Sequence, residues 1–306
     1  MASAGQTVTP GHASASTRPG VRLTELSLVA MALIWGINFS VVKYGTTLID
    51  PLAYNGLRVV LAALLLSSIV VLGRLPLPDR RTIWSLMGLG VLGNGVYQYF
   101  FIVGIARTSA SDAALVIAAS PAFIAIIGRL RGVERTTRRG VIGILMSIAG
   151  IGLVVFGTSQ GVAGESSIVG DLLVLCGSLS WAVYTVLLKP YTERVGGMQL
   201  SAFTMIGGAL PLLVIAGPAM SRVHWSAVPA LGWTAVLYSG IFALVVAYYF
   251  WYHGVRTIGP TRTAMYSNLQ PVIAVLVAWI VLHETPTTWQ GVGAAFIMGG
   301  LLLTRS

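Results

Sequence analysis

Two stretches decide the reading of this chain: WGINFSVVK at residues 35–43 and WAVYTVLLK at residues 181–189. Each opens on a tryptophan and closes eight residues later on a lysine, and the sequence contains no other lysine. Farther along, Tyr99, Phe100 and Gly104 recur 150 positions later as Tyr249, Phe250 and Gly254. The same offset pairs Pro121 with Pro271, Glu134 with Glu284, Gly143 with Gly293 and Gly150 with Gly300. A constant offset held over several apolar segments marks an internal duplication.

The duplicated material is membrane-like. Of the 306 residues, 56% are hydrophobic and only 9% charged, and the mean hydropathy is +0.83. A soluble domain carries about 25% charged residues, so a surface this poor in charge must face lipid. A spanning helix needs roughly 20 mostly apolar residues. Ten such segments are legible: 23–44, 53–73, 83–105, 110–129, 139–157, 168–189, 198–217, 228–252, 260–282 and 287–304. Their uninterrupted hydrophobicity excludes the short alternating strands of a membrane β-barrel. The expected fold is an all-α integral membrane protein with one five-helix repeat at 23–157 and a second at 168–304. A linker at 158–167 joins them, and a disordered Ala/Ser/Gly-rich tail at 1–22 precedes them.

Charge sets the expected orientation. Fifteen of the nineteen Lys and Arg residues fall on one side of such a topology. They are Arg18, Arg22, Arg74, Arg80, Arg81, Arg129, Arg131, Arg135, Arg138, Arg139, Lys189, Arg194, Arg256, Arg262 and Arg305. Only Lys43, Arg58, Arg107 and Arg222 are assigned to the other side. The positive-inside rule then places both termini in the cytoplasm. It also accounts for the net charge of +10 without nucleic acid as a partner. Five spans per copy is an odd number, so the second copy must sit upside down relative to the first. That is the inverted-repeat architecture of secondary transporters, with a path enclosed between the halves.

The ordered set of an early Trp, a later Pro, a Glu after it and a Gly-rich last helix occurs twice. It comprises Trp35, Pro121, Glu134 and Gly140/Gly143/Gly150, then Trp181, Pro271, Glu284 and Gly291/Gly293/Gly299/Gly300. This pattern resembles the drug/metabolite transporter superfamily in its ten-helix EamA-type branch. Within it the chain looks closest to bacterial aromatic amino-acid exporters. The resemblance implies a multi-pass protein of the bacterial inner (plasma) membrane, a central cavity lined mainly by helices 1, 3, 4, 6, 8 and 9, and export from the cytoplasm.

Polar groups inside hydrocarbon are costly unless paired or wetted, which makes them the default site candidates. The expected substrate-binding set is Trp35, Asn38, Asn94, Gln98, Phe101, Ser120, Trp181, Tyr184, Tyr248, Trp251, Tyr266, Asn268 and Gln270. Asn94 and Gln98 are four apart and so share a helix face. Amides and hydroxyls can bond the carboxylate and ammonium of an amino acid, and aromatic faces can stack on its side chain. Pro121, Pro271, Lys43 and Lys189 are hinge or gate candidates, although the two lysines also suit interfacial snorkelling. Glu134 and Glu284 are expected to cap helices five and ten, and Cys176 is expected as a packing residue. Catalytic and metal-ligand sets are not legible, and no cofactor is implied. The partners expected are a small-molecule substrate, an amino acid, and the lipid bilayer, with the protein a monomer.

All nine acidic residues fall in gaps or near helix ends, away from the midplane where proton relays sit, and no Walker A sequence is present. Facilitated export of aromatic or large neutral amino acids by alternating access is therefore the leading expectation. The alternatives are an exporter of drugs or other small metabolites, a membrane channel, and, most remotely, an intramembrane enzyme.

Overall fold

Local chemistry explains where several helices start. In the computed structural model, which describes residues 19–132, 138–159, 167–258, 263 and 266–304, α1 (Pro19–Leu48) is followed closely by α2 (Pro51–Leu72). Asp50 caps α2, accepting from the backbone N–H of Leu52 at 2.9 Å and Ala53 at 3.2 Å. Pro51 occupies the first turn, where its missing donor costs nothing. Asp79 caps α3 (Arg80–Ile105) in the same way. The hydrogen bond from the Thr82 hydroxyl, then that from its amide, holds the Asp79 carboxyl below its ordinary range. The chain continues through α4 (Ala110–Leu130), α5 (Arg138–Ser159), α6 (Ile168–Thr192), α7 (Gly197–Met220), α8 (Ala230–Ile258), α9 (Leu269–Leu282) and α10 (Thr288–Thr304).

The described residues are predominantly helical, with no strand among them. Among the described residues, eight helices, α1 to α8, are long and apolar enough to cross a membrane, and α9 and α10 are shorter apolar helices. Burial is sorted as in a membrane protein. Val214, Leu72 and Ile280 are exposed on the outside, whereas Asn94, Ser178, Ser201 and Thr204 are fully buried. Asn94 and Ser178 bond neighbouring helices, and Ser201 and Thr204 bond carbonyls one turn earlier in their own helix.

Some expected boundaries shift. α1 begins at Pro19, inside the stretch read as a tail, and α5 reaches Ser159, inside the stretch read as a linker. α7 runs to Met220 through Pro211 and Pro218, and α8 extends six residues past its expected end. Residues 1–18, Glu134, most of the linker and much of 259–265 lie outside the described residues.

Four backbone irregularities stand out among the described residues, in two corresponding pairs. α3 carries a π-helical segment at Val91–Val96, and α8 carries one at Tyr238–Val246. Shifting the first by 150 places it inside the second. Such wide turns gather at functional sites. α4 breaks at Ala119, two residues before Pro121, and the backbone turns at Asn268, three residues before Pro271. Proline has no donor and crowds the preceding turn, and Ser120 Oγ relieves the break in α4 by donating to the Ile117 carbonyl at 2.6 Å.

Contacts between helices repeat as the sequence does. A Cβ on Gly104 of α3 would lie 2.7 Å from Val174 of α6, and a Cβ on Gly254 of α8 would lie 2.7 Å from Leu28 of α1. Leu28 precedes Val174 by 146 positions, the spacing that separates Trp35 from Trp181. α5 and α10 pack on each other through glycines. Gly150 lies against Gly293 and Ile297, and Gly300 against Gly143 and Ser147. Because 143 maps to 293 and 150 to 300, the pair 143–300 is exchanged with the pair 150–293, as a two-fold relation demands. Cys176, expected as a packing residue, is exposed on the outer face of α6. A small thiol inside an apolar run carries no signal of which face it occupies.

Candidate functional site

Three of the four irregularities border a central cavity of about 110 Å³: the π segment of α8 through Ala243 and Leu244, and the two proline-linked breaks through Ser120 with Pro121 and Asn268 with Pro271. The π segment of α3 ends one residue before Tyr97, which lines the cavity. Its wall comes from α1, α3, α4, α6, α8, the start of α9 and one residue of α2, with nothing from α5, α7 or α10. The glycine-rich pair α5–α10 therefore stands outside as scaffold.

Of the expected residues, Trp35, Asn38, Gln98, Phe101, Ser120, Trp181, Tyr248, Trp251, Asn268 and Gln270 line the cavity, together with Pro121 and Pro271. Tyr248 stands edge-on to both repeat-related tryptophans, 5.9 Å from the Trp35 ring and 5.9 Å from the Trp181 ring. Tyr97 stacks on Phe101 at 5.8 Å and lies 5.2 Å from Trp181. Both π-helical segments accept side-chain hydrogen bonds, one of them from the cavity residue Trp35. Trp35 Nε1 donates to the Ala243 carbonyl at 2.9 Å, and Ser180 Oγ donates to the Leu92 carbonyl at 2.9 Å. Ser239 Oγ donates to Asn38 Oδ1 at 2.8 Å, which fixes the Asn38 amide against α8.

Three expected binding residues stand outside the wall. Asn94 is fully buried and accepts from the Tyr248 hydroxyl at 3.2 Å. It lies within the π-helical segment Val91–Val96 and is bonded to a wall residue without lining the cavity itself. Tyr184 packs on Gly93 and pairs with the Tyr252 hydroxyl at 3.0 Å. Tyr266 packs against the cluster of Leu28, Met31 and Ala247. Neither Lys43 nor Lys189 borders the cavity; Lys43 Nζ donates to the Ala106 carbonyl at 3.4 Å, tying α1 to the end of α3.

The residue that sequence reasoning misplaced is Arg58. Charge counting assigned it to a loop side, but it lines the cavity from α2 and is only 1% exposed. Its Nε donates to Asn55 Oδ1 at 2.9 Å and its Nη2 to Gln98 Oε1 at 2.5 Å. Its guanidinium lies 5.9 Å from the Tyr54 ring centre and 5.5 Å from that of Phe101. The available signal was a lone arginine within the apolar run 53–73, with Asn55 three residues before it. An intramembrane ionisable group is a site candidate in its own right. Phe39, Tyr97 and Ser267 also line the cavity without having been singled out.

Polar contacts tie several helices together at one end of the bundle. The Glu284 carboxylate accepts from Ala110 N at 2.9 Å, Ser111 N at 3.1 Å and Ser111 Oγ at 2.9 Å. It therefore caps α4 rather than α10, the helix it was expected to cap. α10 has its own capping box, with Thr287 N donating to Gln290 Oε1 at 2.9 Å and Gln290 N to Thr287 Oγ1 at 3.2 Å. Gln290 Nε2 also donates to Asp112 Oδ1 at 2.9 Å, and Thr108 Oγ1 to Asp171 Oδ1 at 2.5 Å. Left-handed backbone at His283, φ 58°, ends α9 and turns the chain towards α4. The matching Glu134 lies outside the described residues.

The chain is similar along most of its length to known proteins. The chain is 27% identical over 281 residues to the uncharacterized transporter YyaM of Bacillus subtilis (strain 168), covering 90% of this chain and 92% of the relative. It is 28% identical over 282 residues to the uncharacterized inner membrane transporter YedA of Escherichia coli (strain K12), covering 90% and 89%. A solved structure described only as the crystal structure of a protein superposes with a TM-score of 0.67 at 19% identity, covering 92% of this chain and 98% of that one. That likeness carries the fold alone. The model of the EamA-like transporter family matches twice, at residues 22–156 and at 168–306. Together the doubled match and the helical architecture make this chain a multi-pass membrane protein belonging to the EamA-like transporter family.

Proposed function

We propose that the protein is a secondary carrier that exports amino acids, aromatic or large neutral, from the cytoplasm by alternating access to the central cavity. Ten spans form two inverted halves, 23–157 and 168–304, with both termini cytoplasmic, and the functional unit is the monomer in its bilayer. The observation that carries this reading is the cavity itself, which is bordered by the π-helical segment of α8 and by the proline-linked breaks at Ala119 and Asn268. Irregular backbone at membrane depth is tolerated where it lines a cavity or a protein partner, and discontinuous helices build the substrate sites of such carriers. Its aromatic walls suit a flat apolar side chain, and the amides of Asn38, Asn268 and Gln270 suit the polar end of an amino acid.

No acidic residue borders the cavity among the described residues. Asp112 and Asp171 are buried, but in the first turns of α4 and α6 at the tied end of the bundle. This favours facilitated flux without a strong coupling ion. The test is counterflow in proteoliposomes. Labelled phenylalanine or tryptophan should accumulate transiently against an internal pool of the unlabelled compound, with saturation and without an imposed pH gradient. Linear, unsaturable flux or an obligatory pH gradient would refute the proposal.

A further inference from the structure

We infer that Arg58 is the anchor for a carboxylate and that the cavity selects organic anions with an aromatic or apolar body, leaving an ammonium group optional. This deepens the carrier reading above and rests on it.

Arginine stays charged in proteins, and a charged side chain in the membrane interior normally pairs with another. Arg58 is buried on α2 and faces the cavity, yet no carboxylate pairs with it among the described residues. Its two hydrogen-bond acceptors, Asn55 and Gln98, are neutral amides, and the flanking rings of Tyr54 and Phe101 offer only their π faces. Its Nη1 makes no hydrogen bond to a described residue. Asn55 and Gln98 thus hold the guanidinium in one orientation without neutralising it, and Asn55 Nδ2 adds a bond to the Gln98 carbonyl at 3.2 Å. The planar fork of arginine matches a carboxylate. A bound monoanion makes the occupied cavity neutral. A zwitterion leaves it net positive and a cation doubles the charge, because the described wall holds no Asp or Glu.

The test uses two probes with one body and opposite charge, 3-phenylpropionate and 3-phenylpropylamine, with phenylalanine and phenylpyruvate as a second pair. Binding to the purified protein is read by calorimetry and flux by proteoliposome uptake. The carboxylate should bind at least about tenfold tighter than the amine, and phenylpyruvate at least as tightly as phenylalanine. Arg58→Gln should weaken carboxylate binding about 30-fold or more, and Arg58→Lys should restore part of it. Gln98→Glu keeps the arginine and places a carboxylate beside it. It should abolish the preference for anions even if Arg58→Gln does not fold.

Equal binding of amine and carboxylate, an unchanged preference in Gln98→Glu, or no binding of any carboxylate would overturn the assignment. Saturable counterflow of phenylalanine in those vesicles would then leave the carrier reading standing while Arg58 loses its role. If no probe moves, both readings fall.

Discussion

Removing the Glu284 carboxylate should open the tied end of the bundle. That side chain is half-buried and accepts three hydrogen bonds from the first turn of α4, two of them from backbone amides. Bonds to a charged acceptor contribute about 1.5–3 kcal/mol each where water is excluded, and loss of a helix cap costs about 0.5–2 kcal/mol. Water can reach this site and replaces part of what is lost, so Glu284→Ala should shift the closed–open balance by about 2 kcal/mol. At about 1.4 kcal/mol per tenfold, that is roughly a 30-fold rise in the open population. Glu284→Gln keeps one acceptor oxygen and should shift it about fivefold. The assay needs a single reporter thiol, so the exposed Cys176 is first replaced by Ser. A cysteine at Ala114, in the cavity wall, is then labelled with a membrane-impermeant maleimide from each side of the bilayer. With both termini cytoplasmic, labelling from outside should accelerate and labelling from inside should slow. Unchanged rates from both sides in a folded Glu284→Ala protein would refute the latch, and acceleration from inside would invert the proposed orientation.

Two stability predictions concern the scaffold and the turn after α9. Gly150→Val should destabilise the α5–α10 pair by about 1–3 kcal/mol through overpacking, since a Cβ there lies 2.7 Å from the Gly293 carbonyl oxygen. Gly152→Ala, where a Cβ meets nothing within 4 Å, should be neutral or stabilising by up to about 1 kcal/mol through helix propensity; midpoints of thermal unfolding in detergent rank the two. His283→Gly should raise that midpoint. Left-handed backbone costs an L-residue about 1–2 kcal/mol, the unfolded-state entropy of glycine offsets about 0.5–1 kcal/mol of this, and a lowered midpoint would show that the His283 side chain makes a contact worth more than the strain.

Much of the site was legible because polar and aromatic residues are conspicuous in hydrocarbon. Trp35, Trp181, Tyr248, Trp251, Gln98 and Gln270 were identifiable by type alone, and all of them reach the cavity. The prolines marked the breaks because a missing donor acts locally, within one turn. The errors arose where a local rule was extended across a neighbour it could not see. Asn94 was read with Gln98 from a four-residue spacing, yet it lies inside a π segment, and of the two only Gln98 borders the cavity. Glu284 was paired with the helix that follows it in sequence, whereas the left-handed turn at His283 carries it to α4. Arg58 was counted with loop charges because charge counting treats every cation as lying at an interface.

From the order of residues alone came the membrane-embedded, all-helical class, the duplication and the breaks near Pro121 and Pro271, since hydropathy, repeat offset and proline chemistry are properties of the chain read in one dimension. Only the tertiary structure decided which polar groups meet. Pairing Arg58 with Gln98, resting Tyr184 on Gly93 and docking Glu284 onto α4 each depend on the rotation and approach of helices distant in sequence. That rotation is set by close packing among many side chains at once, and no local pattern encodes it.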